Sequence, residues 1–453
     1  MIPGAHCWLA VALLSAGCHP ARDSAPAARD STPAARDSDT ASGAAIETSL
    51  HDEIGSLVWL RWTQDRAGTT QVRYGVEGED GLETPSWQLD AGRHEALLLG
   101  LPFDAQAWAR VEVDEELDSE LSFETGALPD GVPSATVEIA DSDAWDPDTR
   151  FVLTSTAQQD GHALILDRQG RTVWARETPL QRMTMQPRVS HDGTRLLLDL
   201  NSFYGAFDGG LASQVVALTI DGSEQQRWDT PGLHHCFTDL PDGTMAWAAI
   251  ADNSDDLMVI EPGGEQRTLW DCGPFQQGLG LEAACLSNGL SWHQDSGHYL
   301  LSLFTSHAVV EIDADTGQAT RWFGGLPEAW GFATSGSAFH WQHGAHYTAD
   351  GTLLLSTQAS ALTAETVVRE YRLDEHAQAL EQIWTFGEGQ GVFGPEGGEA
   401  HRLGNGNTLH NYGSGSRLRE ITPDGEVIWD LDLPDGTYLG RTTPIADLYA
   451  LMP

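Results

Sequence analysis

The stretch His343-Gly-Ala-His-Tyr-Thr-Ala-Asp-Gly-Thr-Leu-Leu-Leu355 carries the pattern on which most of the chain is built. An Asp-Gly pair separates two runs of strand-forming residues, and both turn residues tolerate the positive φ that a tight hairpin demands. Related turn-plus-strand runs occur at Asp148-Thr-Arg-Phe, Asp192-Gly-Thr-Arg, Asp242-Gly-Thr-Met, Asp295-Ser-Gly-His and Asn405-Gly-Asn-Thr, six in all. Each unit then closes on a second turn and a strand ending in Trp, at Trp174, Trp228, Trp270, Trp322, Trp384 and Trp429. Units of about 45–60 residues with several strands each cannot bury both faces alone and must stack on their neighbours. The expected fold is all-β, a six-bladed β-propeller over residues 140–453, with the Trp residues as packing anchors between blades. The segment Arg441–Tyr449 follows the last unit and reads as a strand returned to the first blade, removing an open edge.

Upstream, residues 46–128 alternate apolar and polar side chains in short runs such as Leu57-Val-Trp-Leu-Arg-Trp62 and Ala107-Trp-Ala-Arg-Val-Glu-Val113. Period-two strands between turns predict a small β-sandwich, and their order resembles a fibronectin type III module. No catalytic cluster falls in it, so a spacer or packing role is expected. Residues 19–45 repeat Pro-Ala-Ala-Arg-Asp-Ser with almost nothing to bury, which is the composition of a flexible tether. Residues 1–18 join a short apolar run to Ser15-Ala-Gly-Cys18 and resemble a lipoprotein signal, so export to the cell envelope and lipidation of Cys18 are expected. An ordinary cleaved signal is the alternative.

The 453 residues hold 67 Asp and Glu against 24 Lys and Arg, a formal charge of −43. Such a field repels phosphate backbones and anionic bilayers, which excludes nucleic acid as a partner and leaves the membrane only through a lipid anchor. In an oxidising compartment Cys272 and Cys285 are the expected disulfide, and Cys236, inside a strand, stays a buried thiol. No Cys-x-x-Cys occurs, so a thiolate zinc site is not indicated and no cofactor is expected.

In each unit the strand before the Asp-Gly turn should lie innermost. Counting seven residues back from the turn aligns His235, Asn288 and His343 with Met185 and Gly398, a ring polar on one side. Equal register aims these side chains at one end of a central channel. Two histidines and an amide there suit nucleophilic or acid–base chemistry, a metal, or simply ordered water. The flanking His234, His340 and His346 are expected to point elsewhere, and His162 to lie at the surface.

The runs Trp341-Gln-His-Gly-Ala345, Gly397-Gly-Glu-Ala-His-Arg402 and Leu233-His-His235 together resemble the bacterial arylsulfotransferase family. That resemblance implies a six-bladed propeller moving a sulfuryl group from an aryl sulfate to a phenolic acceptor through a sulfated histidine, with no nucleotide donor. It implies His343 as nucleophile, with His235 and Asn288 on the sulfuryl oxygens. The chain departs from the family at Leu286, where a histidine is expected, and at Phe304, where an arginine is expected. Arg441, Arg402 and Arg188 are the candidates to replace the lost charge. The competing reading is a catalytically inactive, surface-anchored propeller acting as a binding scaffold. Asp313–Trp322 also resembles the repeat of quinoprotein dehydrogenases, but six units and no vicinal Cys pair argue against that class.

Overall fold

The computed structural model describes residues 46–251, 254–282 and 284–452. The expected leader, Cys18 and the tether lie outside the described residues. Residues Ala44–Pro453 form one compact unit. No helix among the described residues is long and apolar enough to cross a membrane.

Among the described residues from 136 onward lie six antiparallel sheets, five of them containing a four-strand meander and the first a three-strand one. The third sheet shows the plan: Leu233–Asp239, Met245–Ala251, Ser254–Ile260 and Arg267–Asp271 follow one another from edge to edge. Its first hairpin turns at Gly243, whose φ of 86° lies in the left-handed region that glycine adopts without steric cost. The corresponding edge strands of the fourth, fifth and sixth sheets are Ser287–His293, His343–Tyr347 and Glu399–Arg402. These edges lie side by side, so the residues at their starts are drawn together.

The first sheet is completed from the far end of the sequence. Thr443–Ile445 pairs antiparallel with Phe151–Leu153, as expected of a returned strand. Thr136–Ala140 in turn pairs with the outer strand Val427–Asp432 of the sixth sheet. The repeated tryptophans link neighbouring sheets through their indole N–H groups as well as their rings. Trp174 donates to the carbonyl of Ile220 at 2.7 Å, Trp384 to Pro423 at 2.9 Å and Trp429 to Arg168 at 2.8 Å. The last of these joins the sixth sheet to the first. Beside it Arg168 and Glu420 form a buried ion pair, with the guanidinium lying over the rings of Trp145 and Trp429.

Residues 47–124 make two packed sheets. Glu47–Leu50, Val58–Gln64 and Gly92–Leu98 form one, and Gly68–Val76, Gln106–Val113 and Glu116–Glu124 are the main strands of the other. Leu60, Trp62, Val72, Tyr74, Ala109 and Val111 fill the space between them. This module is a packing partner rather than a free spacer. Ile54, Leu57, Leu97 and Leu99 share a core with Leu153, Trp174 and Leu448, and Tyr74 meets Tyr449 hydroxyl to hydroxyl at 2.9 Å. Cys272 and Cys285 are joined in a disulfide, and Cys236 is buried and free. Burial moves the Cys236 thiol up to about 12, so it is inert as a nucleophile.

Candidate active site

Each of the three strands that carry the aligned candidates is interrupted at the candidate itself. Register shifts fall between Leu233 and Phe237, between Ser287 and Gly289, and between His343 and His346. A bulge breaks the period-two alternation and re-aims side chains, so neighbours such as His234 and His235 can both face the interior. His234 therefore belongs to the site, against the expectation from alternation. His162 is buried too, not superficial.

His343 opens the edge strand of the fifth sheet and is held from several directions. Gln342 before it donates to the carbonyls of Leu303 and Ala308, at 3.2 and 3.0 Å, and accepts from the Asn288 amide at 2.7 Å. Trp341 sits at φ 54°, a left-handed conformation that costs a non-glycine residue about 1–3 kcal/mol and persists only where its surroundings impose it. That conformation brings the Trp341 carbonyl 2.9 Å from Nδ1 of His343. A carbonyl can only accept, so Nδ1 carries the proton and Nε2 keeps its lone pair. Burial, and after it the charge of Arg441, hold the imidazole down to about 3, leaving it neutral and nucleophilic. Phe304 and Trp341 form an aromatic wall beside it, with ring centroids 5.8 Å and 5.0 Å from Phe304 to His343 and to Trp341.

Arg441 comes from the segment just before the returned strand. Its guanidinium crosses to the carbonyls of Asn288 on the fourth sheet and Gly398 on the sixth, while its own amide donates to Met185. Gly344 lets it pass: a Cβ there would come within 2.9 Å of Nη1, at a backbone φ of 61° that also favours glycine. The charge acts on both His343 and His235. Met185 and Gly398, the apolar members of the aligned ring, thus contribute carbonyls instead of side chains.

His235 is half-buried, and burial first, then His234, His343 and Arg441, push it well below the usual imidazole range. Its Nε2 lies 2.7 Å from the hydroxyl of Tyr204, and its Nδ1 meets Nδ1 of His234. Tyr204 rides on the short helix Ser202–Gly205, capped by Asn201, whose amide donates to the His234 carbonyl. Tyr438, half-buried like Tyr204, flanks it.

The remaining candidates divide. The Asn288 amide ties the Gln342 carbonyl and accepts from Ser302 at 2.9 Å, so it fixes the strand entering His343. Arg188 donates to the Phe237 carbonyl at 3.0 Å and acts on Glu399 and His346, on the edge strands of the sixth and fifth sheets. Arg402 is not brought to the site: it pairs with Glu370 beneath the Trp384 ring. Sequence reasoning missed Tyr204, Tyr438, His234 and Asp255; only the vicinal His234-His235 pair stood out as a signal. Among the described residues no group of three or more His, Cys, Asp or Glu is arranged to hold a metal ion.

Residues 292–433 match the family model described as Arylsulfotransferase (ASST), a span that includes His343 and the aromatic wall. No curated protein matches the chain. Solved structures similar to it include a protein of unknown function from Bacteroides caccae, 15% identical, with a TM-score of 0.46, covering 66% of this chain and 99% of that one. Another is the β-propeller domain of a Myceliophteria thermophila protein, at 13% identity and a TM-score of 0.40, covering 68% and 89%. A third, streptogramin B lyase, has 11% identity and a TM-score of 0.38, with coverage of 68% and 97%.

Proposed function

We propose that the six sheets are the blades of a six-bladed propeller whose channel mouth transfers a sulfuryl group from an aryl sulfate to a phenol. The observation that carries this reading is His343: a neutral imidazole with Nδ1 tied to a carbonyl and Nε2 free, beside a buried guanidinium. The Trp429 and Arg168–Glu420 links between the sixth and first sheets support closure of the ring. The match of residues 292–433 to an arylsulfotransferase family model supports the chemistry.

In the donor half-reaction Nε2 of His343 attacks sulfur, the N–S bond forms, and the S–O bond to the aryl group breaks. In the second half-reaction a phenol oxygen attacks sulfur and releases Nε2. Negative charge spreads over the sulfuryl oxygens throughout, and Arg441 is the cation placed to stabilise it in the absence of the family's arginine at Phe304. Phe304 and Trp341 offer an apolar wall for the aryl ring.

The test is turnover of 4-nitrophenyl sulfate with and without a phenolic acceptor, alongside His343→Ala. Acceptor-stimulated release of nitrophenol, lost in the variant, and a sulfuryl adduct on the His343 peptide are expected. Absence of turnover and of adduct from folded protein across several donors would overturn the reading in favour of a binding scaffold, which the apolar Leu286 and Phe304 favour.

A further inference from the structure

From the Tyr204 hydroxyl a chain of polar groups runs through His235 and His234 into the third and fourth sheets. The Tyr204 hydroxyl meets Nε2 of His235 at 2.7 Å, and His235 Nδ1 meets His234 Nδ1. His234 Nε2 approaches Oδ2 of Asp255 at 3.1 Å, obliquely to its ring N–H direction. Asp255 is fully buried and is anchored by the hydroxyl of Ser287, at 2.7 Å, and by the amide of the same residue. Two like nitrogens in contact must share one proton, since two N–H groups would repel and two lone pairs would leave a buried contact unbonded. A proton placed on one side of that contact therefore fixes the tautomer of both rings.

We infer that Tyr204, His235, His234 and Asp255 form a proton wire that protonates the departing phenolate and later deprotonates the acceptor phenol. The inference rests on the sulfuryl-transfer reading. With donor bound, the wire holds one proton more than with the sulfated enzyme, stored between His234 and Asp255. His234 Nδ1–H then donates to His235, and His235 Nε2–H donates to Tyr204, whose own proton faces the substrate. As the S–O bond breaks, the aryl oxygen takes the Tyr204 proton. Tyr204 is refilled from His235 Nε2, and His235 from His234 Nδ1. The acceptor phenol reverses each transfer while its oxygen bonds to sulfur, so the cycle closes with no net proton change.

In this proposal Tyr204 is the residue that meets the reacting oxygen, and His235, His234 and Asp255 are positioning residues acting through it. His235 thus stays neutral in both halves, in keeping with its environment of His343, Arg441, His234 and buried Cys236. It also means that His235 donates to Tyr204 or accepts from it, and does not hold a sulfuryl oxygen.

Two experiments test the wire. The first compares Tyr204→Phe with wild type on 4-nitrophenyl sulfate, whose leaving group needs no proton, and on unsubstituted phenyl sulfate, whose leaving group does. In single turnovers without acceptor, phenol release is expected to slow about 10²–10⁴-fold on phenyl sulfate and little on the nitro compound; an equal loss on both overturns the role of Tyr204. The second reads ring tautomers by ¹⁵N NMR of histidine-labelled full chain and needs no turnover. His235 is expected to carry its single proton on Nε2 in wild type and on Nδ1 in Asp255→Asn, where the stored proton has no carboxylate to hold it. The same His235 tautomer in wild type and in Asp255→Asn overturns the wire. If wild type turns over neither donor, the sulfuryl-transfer reading fails and the NMR result decides the wire by itself.

Discussion

At the scale of single residues, the site is built from groups whose polarity is set by what they cannot do. A carbonyl cannot donate, so Trp341 leaves His343 one available nitrogen. Arg441 is held by two neutral carbonyls, and the buried Glu399 carboxylate also feels its charge. Replacing it by Met keeps the length and removes the charge. Arg441→Met is expected to lower kcat/KM for aryl sulfates by about 10²–10³, with Arg441→Lys in between, in steady-state assays of protein whose circular dichroism is unchanged. Equal activity in Arg441→Met would remove Arg441 from the mechanism. Sequence alone offered three candidate arginines, and only position within the fold separates Arg441 from Arg402, which is held by Glu370 and Trp384.

At the scale of elements, what was legible was the periodic part. Asp-Gly turns and terminal Trp residues mark the sheets because each follows from local geometry and repeated packing. The count of seven residues found His235, Asn288 and His343 because the edge strands run side by side. It missed His234 because strand alternation fails at the bulge between Leu233 and Phe237. Tyr204 escaped for a different reason: it stands on a four-residue helix between strands of the second sheet, outside any repeat. The link between the sixth and first sheets is another non-periodic contact. Arg168→Ala would leave Glu420 buried without its cation, and a loss of about 3–5 kcal/mol in urea unfolding is expected. The double variant Arg168→Met with Glu420→Gln should recover most of it. If the single variant unfolds at the wild-type midpoint, the pair is not part of what holds these sheets together.

For the whole molecule, buried histidines set the response to acid. Burial, the leading cause in each, holds His343 and His410 down to about 3 and His346 to about 4. Each takes up its proton in the unfolded chain near the ordinary value of 6.5, so as pH falls below that value the unfolded state binds more protons. Their contribution to stability is complete above pH 6.5 and is lost toward pH 3–4. Asp199 opposes them: burial raises it to about 6, so its contribution is present in acid and lost as pH rises through that value. Burial raises Asp256 to about 6 as well, and burial holds His235 well below the usual imidazole range, so histidines still outnumber carboxylates and unfolding takes up protons on balance around pH 5. Urea midpoints should therefore drop from pH 7 to pH 5, and a midpoint that holds or rises would show that these histidines are charged in the native state.

The returned strand Thr443–Ile445 has a further consequence through its neighbour Arg441. Ribosomes make the chain in order, so His235, Asn288 and His343 all exist before the one cation they share. Folding intermediates that have stacked the earlier sheets hold a nucleophile without its charge. For a sulfuryl transferase, chemical competence would then arrive only with the closing strand.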